Sequence, residues 1–251
     1  MEEYKQRLAR VLAETGALFF DDNLFLKDGR PTPYFVNFGM FRTGRLSKEL
    51  GSLYAEMIIN NGLVDNIDII LGPSYKGSAI ALSTAIALYE IHGHDLLFEY
   101  DRKEAKRHGE GSISASLTVN RTFYDGCRVY IVDDVTTTMG TKYELIERMN
   151  AEAEVKNINV NITGVGIAVN REQTTAVYDQ NGNYIPGVKG DNTIEIFTGK
   201  TGIPVNFIAG IKEITDYLYE EKIPVLIRGK QQVINKKTKS EFDQYLETYG
   251  V

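Results

Sequence analysis

Short apolar runs rich in β-branched residues recur along the chain, separated by segments with helical periodicity. Ile67–Leu71, Leu96–Tyr100, Arg128–Val132 and Ile162–Val169 have the length and content of buried strands, and Pro204–Ile208 reads as a fifth. Ser47–Asn60, Gly77–Tyr89, Tyr143–Ala153 and Lys212–Glu220 carry helical patterns between and after them. Strands that are apolar on both faces need a sheet covered on both sides, and their alternation with helices implies βαβ units. The expected fold class is therefore α/β, a mostly parallel central sheet flanked by helices. Ahead of it, Glu2–Glu14 places Tyr4, Leu8, Val11 and Leu12 on one helical face. Asn181-Gly182 between Tyr178 and Tyr184–Ile185 is a two-residue hairpin signal. Residues 176–202 thus read as an inserted hairpin and a short helix near Thr193–Thr198, a surface excursion. No repeat, low-complexity tract or Pro-rich linker divides the chain. The expected organisation is a single domain over 1–251, with an N-terminal helix and addition (1–45), an α/β core (46–210) and a C-terminal helical tail (211–251).

Composition narrows the function classes. The 34 acidic residues outnumber the 28 basic ones, for a net charge of -6, which disfavours a general nucleic-acid binder. With one cysteine, Cys127, no internal disulfide and no thiolate metal cage is possible, and a reducing cytosol fits. His92, His94 and His108 do not make a zinc site by themselves. The first residues mix both charge signs and lack the apolar core of a signal peptide. The longest uncharged apolar stretch, Gly77–Tyr89, is too short to span a bilayer. A soluble cytoplasmic protein, acting on neither membrane nor nucleic acid, is expected.

The segment Arg128–Lys142, RVYIVDDVTTTMGTK, is the most informative. A buried strand ends in Asp133 and Asp134, then Val135, Thr136, Thr137, Thr138, Met139, Gly140 and Thr141 lead into a helix. Ligands of open α/β sheets bind at the carboxyl ends of strands. A hydroxyl-rich turn at a helix N-terminus gathers amides, Oγ donors and the positive dipole end, which suits a phosphate. Two carboxylates beside it suit the vicinal hydroxyls of a ribose, or a divalent ion with them. A strand end followed by a helix cap would explain a lone Asp-Asp, but not the whole ordered set.

This segment resembles the phosphoribosyl-pyrophosphate (PRPP) motif of the type I phosphoribosyltransferases. Leu26–Phe41 (LKDGRPTPYFVNFGMF), Gly72–Ala81 (GPSYKGSAIA), Glu99–Ser112 (EYDRKEAKRHGEGS) and Ala168–Glu172 (AVNRE) narrow the resemblance to the orotate phosphoribosyltransferase family, in the family's order. The resemblance implies the type I phosphoribosyltransferase fold, with a small N-terminal hood. It also implies transfer of phosphoribosyl from PRPP to orotate with Mg²⁺, within a homodimer that shares its active sites. The polar run Asp101–Gly111 holds five potential cations in seven positions, Arg102, Lys103, Lys106, Arg107 and His108. Alone it would read as a solvated loop or helix face. The resemblance makes it a loop whose Arg102, Lys103, Lys106 and His108 meet pyrophosphate, usually in the neighbouring subunit's site. Arg107 stands where the family often has Asp, and no role carries over to it. Tyr75 and Lys76 fall in the pyrophosphate turn, where Lys76 would add charge to backbone amides. Lys27, Tyr34 and Phe35 match residues on the orotate side, though Tyr34 and Phe35 equally suit a core. Arg171 matches an arginine that binds the orotate carboxylate, a task suited to its planar fork.

The implied chemistry is positioning and charge stabilisation around an oxocarbenium-like ribose, with Asp134 as proton or charge partner. Mg²⁺ would be held mainly by PRPP, with Asp133 or Asp134 as the protein's carboxylates. Three departures bear on substrate affinity and base preference: Met139 in place of a small residue, Asn170 in place of Asp, and the long 176–202 excursion. Two other functions compete. One is transfer to another base, since the fold and the PRPP motif do not fix the acceptor. The other is a non-catalytic PRPP-sensing regulator.

Overall fold

The computed structural model describes residues 1–102, 117–135 and 139–251. Five parallel strands form its central sheet in the order β4-β3-β5-β6-β7: β3 (Ile69–Gly72), β4 (Leu97–Tyr100), β5 (Cys127–Val135), β6 (Val160–Asn170) and β7 (Val205–Gly210). All five strands read from the sequence are present, most of them extended at the carboxyl end. Both sheet faces are covered, as parallel strands require. Side chains alternate between the faces, so Ile70, Tyr130, Val132, Ala168 and Ile208 enter one core. That core includes helices α1 (Glu3–Glu14), α2 (Gly44–Asn60), α3 (Lys76–His92) and α6 (Ile211–Glu220). Ile69, Leu71, Val129, Ile131, Val165 and Ile167 enter the other, against α4 (Gly140–Lys156) and α5 (Thr193–Thr201).

A second sheet of four strands, in the order β2-β1-β8-β9, comes from the two ends of the chain. It joins β1 (Leu18–Phe25), β2 (Pro31–Val36), β8 (Pro224–Ile227) and β9 (Lys230–Val233). The purely helical tail expected over 211–251 is thereby corrected. Between α6 and α7 (Lys236–Tyr249) the apolar run Pro224–Ile227 pairs parallel with β1 and antiparallel with β9. The β8–β9 turn is closed by Arg228 and Gly229, both at positive φ (47° and 76°), the conformation that a two-residue hairpin of this twist uses. Helix α7 then packs Phe242 against Phe20 of β1 and Tyr34 of β2, at ring separations of 6.1 and 5.4 Å. Among the described residues, no helix is long and apolar enough to cross a membrane.

The entry into β5 is fixed by an ion pair with near-ideal geometry. Asp68, just before β3, accepts hydrogen bonds from the Arg128 backbone N (2.8 Å), Nε (3.0 Å) and Nη2 (2.6 Å). These bonds, led by the guanidinium, hold the Asp68 carboxyl down to about 2 from 3.8. A depressed carboxyl contributes stability above its unfolded value and loses it as pH falls through the folded value. Asp68→Asn should therefore cost about 1–2 kcal/mol at neutral pH, discounted for partial solvent screening. Denaturation profiles of the two proteins should converge as pH falls from about 4 to 2, and an offset independent of pH would contradict the assignment.

Candidate active site

The strand end at Asp133 and Asp134 governs the site. Consecutive strand residues point to opposite faces, so the two carboxylates diverge. Asp133 follows Val129 and Ile131 toward α4, where Lys142 Nζ donates to its Oδ2 at 2.5 Å. Both residues are at least nine-tenths buried. Burial pushes the Asp133 carboxyl up, and the Lys142 ammonium opposes that shift. Asp134 follows Tyr130 and Val132 toward α3, where Lys76 Nζ donates to its Oδ2 at 3.0 Å. Here the lysine side chain is 56% exposed, so the pair opens onto solvent. The carboxylates also cap local amides, Asp133 Oδ1 accepting from Asp134 N and Asp134 Oδ1 from Val135 N. Below them, Tyr54 of α2 donates its hydroxyl to the Asp133 carbonyl.

Met139 takes positive φ (58°) as the residue before α4, and its side chain is buried in the core that holds Leu145, Met149 and Phe197. Its bulk therefore enters the core, as expected of a large residue in this turn. Gly140 and Thr141 form the first turn of α4, with Thr141 exposed. Thr136, Thr137 and Thr138 lie outside the described residues.

The turn from β3 into α3 stands beside this strand end, since β3 and β5 are neighbours. A side chain on Gly72 would meet the Gly77 carbonyl at 1.8 Å, and one on Gly77 would meet Pro73 at 2.6 Å. The turn closes on itself only because both are glycine. Tyr75 stands three-quarters exposed at its tip, and Lys76 opens α3. The chain leaving β4 is anchored next to the same turn, because Ser74 N donates to Asp101 Oδ1 and Ser74 Oγ to the Asp101 carbonyl. Arg102 N donates to the Leu117 carbonyl at 2.7 Å, drawing the two flanks of the cationic run together. The run's Lys103, Lys106 and His108 lie outside the described residues.

Past the end of β6, Arg171 is 6% exposed, with its guanidinium carbon 5.2 Å from the Tyr34 ring centroid and 5.9 Å from that of Phe35. Its Nε and Nη2 find no hydrogen-bond partner. A buried guanidinium with two open N–H groups is costly unless an anion completes it. Tyr34 is fully buried, donates its hydroxyl to the Arg171 carbonyl at 3.2 Å and accepts from Gln173 Nε2 at 2.8 Å. Its place is beneath the arginine and inside the aromatic core, whereas Phe35 is half-buried on the opposite face of β2. Lys27 lies exposed in the β1–β2 turn. The 176–202 excursion reaches this turn, where the Tyr178 hydroxyl donates to the Asp28 carbonyl at 3.0 Å. Asn170 Oδ1 accepts from Glu172 N at 2.9 Å and so shapes the turn that carries Arg171.

Two neighbours of the candidate site escaped the sequence reading. Lys142 interrupts the apolar stripe of α4 formed with Leu145, Ile146 and Met149, and that interruption was the available signal. Gln173, which ties the hydroxyls of Tyr34 and Tyr245 together, had none. Among the described residues, no group of three or more His, Cys, Asp or Glu side chains could hold a metal ion.

No protein-family model matches the chain. It is 34% identical over 248 residues to the orotate phosphoribosyltransferase of Bifidobacterium adolescentis, covering 97% of this chain and 96% of that protein. It is 33% identical over 252 residues to that of Clostridium acetobutylicum, both chains being covered in full. The chain belongs to the orotate phosphoribosyltransferase family. The crystal structure of orotate phosphoribosyltransferase from Francisella tularensis superposes with a TM-score of 0.70 at 24% identity, over 96% of this chain and 97% of that one. The fold is thus the type I phosphoribosyltransferase fold read from the sequence. The Asp133–Lys142 ion pair lies buried at the carboxyl end of β5.

Removing one partner of such a pair leaves an uncompensated buried charge. Lys142→Met should lower unfolding stability by about 3–5 kcal/mol, and Asp133→Asn/Lys142→Met should recover most of it. Chemical denaturation of the three proteins checks this, and a single variant as stable as the parent would refute the pairing.

Proposed function

We infer that this chain transfers the 5-phosphoribosyl group of PRPP to orotate, releasing pyrophosphate and forming orotidine 5′-monophosphate in de novo pyrimidine (UMP) biosynthesis. The observation that carries the choice of acceptor is Arg171, buried beside Tyr34 and Phe35 with Nε and Nη2 unpaired. A carboxylate offers that fork two parallel hydrogen bonds. Purines and uracil carry no carboxylate, so their neutral acceptors would leave the charge of the buried guanidinium uncompensated. Lys27, on the turn held by Tyr178, and the half-buried Phe35 supply the remaining contacts to the pyrimidine ring. PRPP takes the strand ends and turns: Asp133, Asp134, Val135, Thr136–Thr138, Met139, Gly140 and Thr141 on the ribose and 5′-phosphate side, and Tyr75 and Lys76 on pyrophosphate.

In the reaction, the ribose C1–oxygen bond to pyrophosphate breaks and its electron pair leaves with pyrophosphate. Orotate N1 forms the new bond to C1, and the N1 proton passes to Asp134. Positive charge that builds on the ribose faces Asp134, freed as Lys76 turns from it to the departing pyrophosphate. Arg102, Lys103, Lys106 and His108 complete the cationic surround. The donor set suits Mg²⁺ only as a companion of its substrate: Lys142 occupies Asp133, which leaves Asp134 as the available carboxylate. Bound with PRPP, the ion would neutralise charge on the leaving group.

A homodimer is proposed on one surface feature: Leu82, Ile86 and Tyr89 form an exposed apolar stripe along α3. A second copy would cover it and lend its cationic loop to the shared site. The unpaired, buried Cys127 accords with a cytoplasmic location.

Two experiments follow. Arg171→Ala should raise KM for orotate about 30- to 100-fold, the loss of a charge-assisted pair, with KM for PRPP within about threefold. Equal losses for both substrates would remove Arg171 from the base site. Mixing inactive Lys103→Ala and Asp134→Asn chains should restore activity at one site per heterodimer, whereas demonstrated heterodimers without activity would refute shared sites.

A further inference from the structure

Asp101 is 6% exposed and does three things at once. Its Oδ1 accepts from Ser74 N at 2.5 Å, its carbonyl accepts from Ser74 Oγ at 2.6 Å, and its Oδ2 accepts from Arg148 Nη1 at 3.0 Å. Arg148, on α4, also donates through Nη2 to the Arg102 carbonyl. One carboxylate thus joins three segments that lie at the carboxyl end of the central sheet. They are the Gly72–Gly77 turn, the exit of β4, and the helix that grows out of the Asp133–Thr141 segment. Sequence reading gave no role to either residue.

The charge arithmetic is the informative part. A turn that presents amides to pyrophosphate is a poor place for a buried carboxylate, whose field repels the ligand in a low-dielectric surround. Arg148 cancels that field while leaving Asp101 free to hold Ser74. We propose that Asp101 and Arg148 are a positioning pair for pyrophosphate: Asp101 fixes the Gly72–Gly77 turn through Ser74, and Arg148 neutralises the carboxylate so that an anion can bind beside it. The proposal rests on the functional reading above. Neither residue touches the reacting atoms.

The test separates charge from architecture. Arg148→Met keeps the unbranched stem of the side chain but exposes the ligand to the Asp101 charge. Asp101→Asn/Arg148→Met removes both charges and keeps an oxygen that can accept from Ser74 N. The single variant should raise KM for PRPP, and weaken pyrophosphate binding measured calorimetrically with Mg²⁺, about tenfold. KM for orotate should stay within about twofold, and the double variant should return to within about threefold of the parent. A single variant with unchanged PRPP and pyrophosphate affinity would overturn the proposal. So would a double variant as impaired as the single one, or an equal rise in both KM values with a lowered unfolding midpoint. If the parent protein itself turns over no orotate, the functional reading falls, and the pyrophosphate affinities of the three proteins still decide this inference.

Discussion

The period-two alternation of β5 sets the chemistry of the whole site. Two adjacent carboxylates at the end of one strand would repel each other if they shared a face. The strand sends them apart, each to a lysine on a different helix: Asp133 to Lys142 in a buried pair, and Asp134 to Lys76 in an open one. The buried pair is costly to break, because either partner left alone would be an uncompensated buried charge. The open pair faces solvent, since its lysine side chain is more than half exposed. One backbone geometry thereby places the two members of an Asp-Asp dipeptide in a buried pair and an open one.

The surroundings of Arg171 are built on a different principle, an aromatic floor under a cation. Tyr34, Phe242 and Tyr245 pack edge to face, and Arg171 lies across Tyr34 and Phe35. Desolvation of Tyr34 raises its pKa well above the ordinary value, so its hydroxyl stays protonated and keeps donating to the Arg171 carbonyl. The ends of the chain meet to make this floor, with β1 and β2 from the N-terminal side and α7 from the C-terminal side. Closing the second sheet therefore also sets the arginine.

The central sheet was legible because its strands are buried on both faces, and such runs are continuous in sequence. The second sheet was not. Strand β1 carries Asp21, Asp22 and Asn23 in its middle, with a register shift between Phe20 and Leu24, so neither alternation nor an apolar run marks it. Asp22 is held by a partner more than two hundred residues away, Arg228, which grips it through Nε and Nη2, while Asp21 Oδ1 accepts from the Asp22 amide. Candidate residues on strand ends and tight turns, Asp134, Lys76 and Arg171 among them, could be named from order and chemistry. Those defined by packing across elements, Lys142, Gln173, Asp101 and Arg148, became visible only when helix faces and strand ends were brought together. Tyr34 lies between the two cases: its position in the motif was clear, whereas its burial under Arg171 is a fact of three dimensions.

The acceptor preference follows from an unpaired guanidinium, and a parallel assay of acceptors reads it without any variant. Purified protein with PRPP and Mg²⁺ should consume orotate, seen as loss of its absorbance, only when all three are present. Hypoxanthine, guanine and uracil should go unused. Turnover of one of these bases in place of orotate, or PRPP binding with no turnover of any base, would contradict the account.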